Sequence, residues 1–160
     1  MKLGSMNGLA THVLVIVGIS TSDQEADVTP SAVQVCFATA FNAGSGIIYR
    51  VCDDCASSHQ HIFYKRITSF GSFNAYQYLY STCWRNASNA LGTDFNLYST
   101  YADATEGTGA WTYCNYDDCT TAESIVGEIG VRSFRDCGPT GAVGSQWYPQ
   151  KVNVEFYIPA

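Results

Sequence analysis

The sequence predicts a mainly β protein, an antiparallel sandwich or jelly roll with one short helix over residues 31–160. An extended N-terminal arm and linker at residues 1–30 precede it. Three observations carry this. Apolar residues alternate at period two in several short segments separated by Gly-rich turns. The composition is aromatic, with 11 Tyr, 8 Phe and 3 Trp beside 14 Gly. Finally, an apolar β-branched run, Thr11-His12-Val13-Leu14-Val15-Ile16-Val17-Gly18-Ile19, stands ahead of a polar leader at residues 20–30.

In that run Val13, Val15, Val17 and Ile19 fall on one face of an extended chain, and Leu14 and Ile16 on the other. Such a strand is buried on both faces, and nine residues of it reach about 30 Å. The run is shorter than the roughly 20 residues that cross a bilayer, so no membrane span is expected. Two readings are open: a strand donated to another copy of the chain, or the apolar region of a secretory signal with Lys2 before it and Ser20-Thr21-Ser22 after it. The donor strand, about residues 11–19, is the reading adopted.

Residues 33–40 alternate and are expected to form a half-buried strand, with a turn at 42–46 and the next strand at 47–51. After a loop at 52–58, residues 59–68 are expected as a third strand, with Ile62, Tyr64 and Arg66 opposite Phe63, Lys65 and Ile67. Phe73, Tyr76 and Tyr80 recur at helical spacing and predict a short helix over 73–80. Short strands are expected at 95–98 and 111–114, and a closing strand at 151–158; residues 120–130 are left unassigned. There is neither an internal repeat nor a second domain.

At 160 residues the chain is one domain plus an arm. Only 14% of residues are charged and the net charge is −6, so eight scattered Lys and Arg cannot track phosphates; nucleic acid is excluded as a partner. Seven cysteines indicate an oxidising, extracellular compartment, and the odd count leaves one thiol free or paired to a neighbouring molecule. The sequon Asn86-Ala87-Ser88 makes Asn86 the candidate glycosylation site.

Cys52, Cys55, His59 and His61 offer zinc-type ligands, but the Cys and His pairs stand too close in sequence to converge from opposite elements. A loop disulfide with two histidines on one strand face is the expectation. A redox role has no βαβ pattern behind it. Asn115, Tyr116, Asp117 and Asp118, with Asp136, present oxygen ligands suited to calcium, yet without EF-hand spacing; they read as turn residues. No metal or cofactor is therefore assigned. Asp94 and Asp103 resemble a glycosidase pair only as any two of fourteen acids do. With no nucleophile elbow and no nucleotide loop, no catalytic residue is assigned. Trp111, Tyr113, Tyr116, Trp147 and Tyr148 would make a sugar-stacking platform, although Trp111 and Tyr113 are expected to share an internal face. The alternative function is thus a secreted, lectin-like carbohydrate-binding module with glycans as partners, its N-terminal run a signal.

The block from Trp111 to Asp118, with Arg135-Asp136-Cys137-Gly138-Pro139, Gly141-Ala142-Val143-Gly144-Ser145-Gln146-Trp147 and Phe63-Tyr64-Lys65-Arg66, resembles secreted β-domains of aquatic microbes over about the C-terminal two-thirds of the chain. The resemblance implies a compartment and no activity. In that family the equivalents of Cys114 and Cys137 sit closer together; here Cys119 and residues 120–131 look inserted. The resemblance implies that Cys114 pairs with Cys137, closing a loop of about twenty residues, worth roughly 3 kcal/mol. Cys52 is expected to bond with Cys55 or a neighbouring strand, while Cys36, Cys83 and Cys119 share one bond and leave one thiol. In organisation, a donated strand ahead of a sandwich is similar to donor-strand pili and other extracellular fibrils. The expected function is a structural subunit of an extracellular filament whose partners are copies of itself, since a head-to-tail contact that does not close propagates as a fibre.

Overall fold

The computed structural model describes residues 30–70, 73–75, 90–114, 137–141 and 155–159. The arm, most of the expected 73–80 helix and residues 120–130 lie outside them.

The first described element is a helix, α1, Pro30–Ala43, where a strand was expected at 33–40. The physical reason is the period of burial. Phe37 and Phe41, four residues apart, are both fully buried, whereas Val35, which period two would place beside Phe37, is 64% exposed. Proline fits a first helical position because its φ is already helical and its missing N–H would find no partner there. Alanines at 38, 40 and 43 add helix propensity.

Beyond the turn at Gly46 come β1, Ile47–Val51, then α2, Ser57–Gln60, and β2, His61–Arg66. Next are β3, Phe95–Tyr98, and a helix α3, Tyr101–Glu106. Three short strands close the series: β4, Tyr113–Cys114; β5, Cys137–Gly138; and β6, Glu155–Tyr157. β1, β2, β3 and β6 form one antiparallel sheet in the order β3-β2-β1-β6, and β4 pairs with β5 in a separate antiparallel ribbon. The expected strands at 47–51 and 95–98 are therefore present, the third begins at His61 rather than 59, and β6 lies inside the expected closing strand. Mixed antiparallel sheets and short helices make up the described fold.

The sheet has two apolar faces. Ile48, Ile62, Tyr64, Leu97 and Phe156 point to the larger core, which Phe37 and Phe41 of α1 cover. There the Phe41 ring meets Phe70 edge-on at 5.3 Å and Tyr64 stacks on Phe95 at 5.1 Å. Trp111 and Cys137 belong to the same core, so the β4–β5 ribbon is anchored to it. On the other face Ile47, Tyr49, Phe63 and Tyr98 pack with Ala104 of α3. That helix starts at Thr100, whose side chain accepts from the Asp103 amide at 3.1 Å, and ends at Gly107 in the left-handed region.

Gly46 joins α1 to the sheet, and its carbonyl accepts the Arg66 amide at 3.0 Å. Its φ is +70°, and a Cβ there would run into the Phe70 ring. Gly92 has a similar φ, +80°, with nothing near a Cβ. Gly92→Ala should therefore lose only the left-handed backbone cost, about 1–2 kcal/mol. Gly46→Ala should lose that and a displaced aromatic ring, about 3 kcal/mol in all. Urea unfolding of the two variants checks this; equal losses would mean that the Phe70 contact yields freely.

Candidate functional site

The backbone hydrogen bonds of the four-stranded sheet give its two edges different characters. Arg66 N–H donates to Gly46 and Cys52 N–H donates to Gln60. By antiparallel alternation the even residues of β1 therefore bond β2, and Tyr49 and Val51 turn to Tyr157 and Glu155 of β6. On β3 the same rule turns Phe95 and Leu97 outward, and both find partners. Phe95 accepts from Gly92 at 2.8 Å and donates to Ala90, while Leu97 accepts from Trp111 at 2.8 Å. On β6 it is Phe156 that turns outward, and its backbone groups meet no partner among the described residues. Residues 90–92 and Trp111 take up three of the four outward backbone groups of β3, whereas among the described residues neither outward group of Phe156 is matched.

Beside the β6 edge runs a row of rings across the second sheet face. Tyr49 stacks on Phe63 at 4.5 Å and 7°, Tyr157 lies 5.7 Å from Tyr49, and Tyr101 lies 5.9 Å from Phe63. The Tyr49 hydroxyl hydrogen-bonds His61 Nδ1 at 2.8 Å, and the Tyr157 hydroxyl donates to the Glu155 carboxylate. Both phenols titrate above their ordinary value. Burial is the main cause for each; Asp53 adds to it for Tyr49, and the Glu155 carboxylate for Tyr157.

A second polar centre is buried under the first face. Arg50, 0% exposed, lies in the row between Phe156 and Ile62. Its Nη1 donates to the His59 carbonyl at 2.9 Å and its Nη2 approaches Cys55 Sγ at 3.7 Å. The His59 ring faces the Cys137 carbonyl through Nε2 at 2.9 Å. A carbonyl only accepts, so Nε2 carries the proton, and in the neutral ring Nδ1 then accepts from Ser58 Oγ at 2.8 Å. Disulfides join Cys52 to Cys55 and Cys114 to Cys137. One chain of polar contacts thus connects both bonds.

The candidate zinc ligands come apart on inspection of the fold. Cys52 and Cys55 are consumed in a disulfide, and His59 sits buried in α2, not on a strand face with the exposed His61. The expectation of two histidines on one strand face is corrected: residues 57–60 complete a helical turn before β2 begins. Among the described residues no three His, Cys, Asp or Glu side chains gather as metal ligands. Asp94 is held near Arg66 at 4.0 Å and accepts the Ala90 amide, while the Asp103 carboxylate accepts the hydroxyl of Thr100, the N-cap of α3; each has a structural role. Trp111 is internal as expected, 3% exposed with Nε1 donating to Ser99, but Tyr113 is 36% exposed, because the chain pairs with β5 there and leaves the core. Cys36 is free and exposed on α1. Val13, Leu14, Val15, Ile16, Val17, Ile19, Cys83, Asn86, Asn115, Tyr116, Asp117, Asp118, Cys119, Asp136, Trp147 and Tyr148 lie outside the described residues.

Arg50 and the Tyr49–Tyr157 row were not among the expected site residues. The signal for Arg50 was present: in Ile47-Ile48-Tyr49-Arg50-Val51 it is in phase with Ile48, so an inward cation follows once residues 47–51 are a strand covered on both faces.

The raised phenols fix a pH dependence. Burial also pushes Tyr64 up, with Arg66 pulling partly back. The folded chain therefore keeps protons that the unfolded chain releases above about pH 10. The stability involved is fully present below that pH and is lost as pH rises toward the folded values. Unfolding free energy should be level from pH 7 to about 9.5 and fall beyond about 10, with a shallower fall in the Tyr49→Phe, Tyr157→Phe double variant. Urea titrations at each pH measure it, and an unaltered slope would assign the alkaline loss elsewhere.

No family model, no curated protein and no solved structure matches this chain, so the site stands on its geometry alone.

Proposed function

We propose that this chain is a structural subunit of an extracellular filament, polymerising by donation of the apolar run at residues 11–19 to a neighbouring copy. The observation that supports the reading is the inequality of the sheet's edges: residues 90–92 and Trp111 take up three of the four outward groups of β3, and the outward amide and carbonyl of Phe156 on β6 are unmatched among the described residues. An added strand satisfies such groups through its main chain and places alternate side chains on the two faces. Both faces beside β6 are apolar or aromatic, Phe156 on one and Tyr157 on the other. This suits a run that is itself apolar on both faces. In this reading the arm extends the sheet beyond β6, and the β4–β5 ribbon, joined to the main core through Cys137, is the second layer of a small sandwich. Disulfides at Cys52–Cys55 and Cys114–Cys137 fit assembly in an oxidising, extracellular setting.

Negative-stain microscopy of the full chain should show filaments. Each of Val13, Val15, Val17 and Ile19 buried in the next subunit contributes about 1.5–3 kcal/mol before ordering costs. Deleting residues 1–24 should abolish polymerisation, and Val15→Asp alone should weaken it strongly, because the carboxylate is buried without a partner. Adding the free arm peptide to the truncated chain should raise its thermal stability without restoring fibres. A truncated chain that is as stable as the full one and still assembles would sink the proposal.

A further inference from the structure

We propose that the Cys52–Cys55 disulfide is a thiol–disulfide exchange site for small dithiols, set apart from Cys114–Cys137 by the buried guanidinium of Arg50. The inference is independent of the filament reading. Arg50 Nη2 lies 3.7 Å from Cys55 Sγ, and the same guanidinium is held by the His59 carbonyl at 2.9 Å, so it cannot swing away when the sulfur changes state. It is buried away from solvent, so water does not compete for its contact with the sulfur. In the disulfide, Cys55 sulfur is neutral and gains little from that charge. As a thiolate it gains a charge-assisted contact, so Arg50 stabilises the reduced state selectively.

The reaction runs in two displacements. One sulfur of the dithiol, as its thiolate, attacks Cys52 Sγ; the Cys52–Cys55 bond breaks and Cys55 leaves as a thiolate beside Arg50. The reagent's second sulfur, having given up its proton, then attacks the mixed disulfide and expels Cys52 as a thiolate, which takes that proton. The reagent departs as a cyclic disulfide; two electrons have passed to the protein, and one proton to solvent. Cys52, the sulfur attacked, is 0% exposed and Cys55 5%, whereas Asp53 and Asp54 between them stand in solvent. Attack therefore follows opening of this turn, and what Arg50 sets is the equilibrium, not the rate.

The test equilibrates the full chain with mixtures of reduced and oxidised dithiothreitol and reads each cysteine by differential alkylation and peptide mass spectrometry. Cys52 and Cys55 should become alkylatable in mixtures that leave Cys114 and Cys137 joined. In Arg50→Met the equilibrium constant for opening Cys52–Cys55 should fall at least ten-fold, a shift of about 30 mV. Arg50→Lys should keep most of the wild-type value, and near-ultraviolet circular dichroism reports whether each oxidised variant is folded. Should Arg50→Met fail to fold, the pH dependence of Cys55 alkylation in the reduced wild-type chain decides instead. Half-maximal reactivity below the ordinary thiol value of about 8.5 supports the proposal, and a value at or above it overturns it. An unchanged constant in folded Arg50→Met, or Cys114–Cys137 opening first, overturns it as well.

Discussion

The hydrogen bond from His59 to the carbonyl of Cys137 joins residues 78 apart in sequence, and most of the described fold is tied to it. On one side His59 ends the excursion between β1 and β2, and its own carbonyl holds Arg50 in place. On the other, Cys137 belongs to β5 and carries the disulfide to Cys114 of β4. Trp111, just ahead of β4, stacks obliquely on the His59 ring at 5.3 Å and seals β3 through its amide. The ribbon, the edge strand and the buried cation thus meet at His59 and its neighbour Trp111. A buried cation needs partners for its donors, and the His59 carbonyl supplies one to Arg50.

That arrangement decides where the molecule can still interact. The sheet spends its backbone groups on the β3 side locally, within residues 90–111, and leaves the β6 side dependent on β1 alone among the described residues. A three-residue strand whose described neighbour is β1 alone gains main-chain bonds from a further strand laid against Phe156. The aromatic row through Tyr157, Tyr49 and Phe63 stiffens β6 from one face, and Phe156 anchors it from the other. The edge is thus presented in a fixed orientation although the strand is short.

The strands at 47–51, 61–66 and 95–98 were legible as short apolar and aromatic runs, and most of their residues are buried because both faces of the sheet are covered. Residues 33–40 alternate just as cleanly and form a helix, since Val35 and Cys36 are exposed while Phe37 and Phe41 set the buried stripe. An Ala-rich segment with so few polar residues fits either period, and only the position of its neighbour surface chooses between them. Arg50 is in phase with Ile48 in the same strand, and with both faces of the sheet covered that phase places its charge in the core. Edge inequality was not legible at all, because it depends on which carbonyl of β3 meets Trp111, a contact fourteen residues downstream of Leu97 that no local pattern encodes.

β1 is the strand in which these features meet. Arg50 on one face links it to the Cys52–Cys55 turn and to His59; Tyr49 on the other stacks on Tyr157 of β6; and its backbone is the described partner of both β2 and β6. Because successive residues point to opposite faces, one strand serves both cores at once. The disulfide turn and the β6 edge are therefore neighbours of the same five residues, the first through a side chain and the second through main-chain pairing.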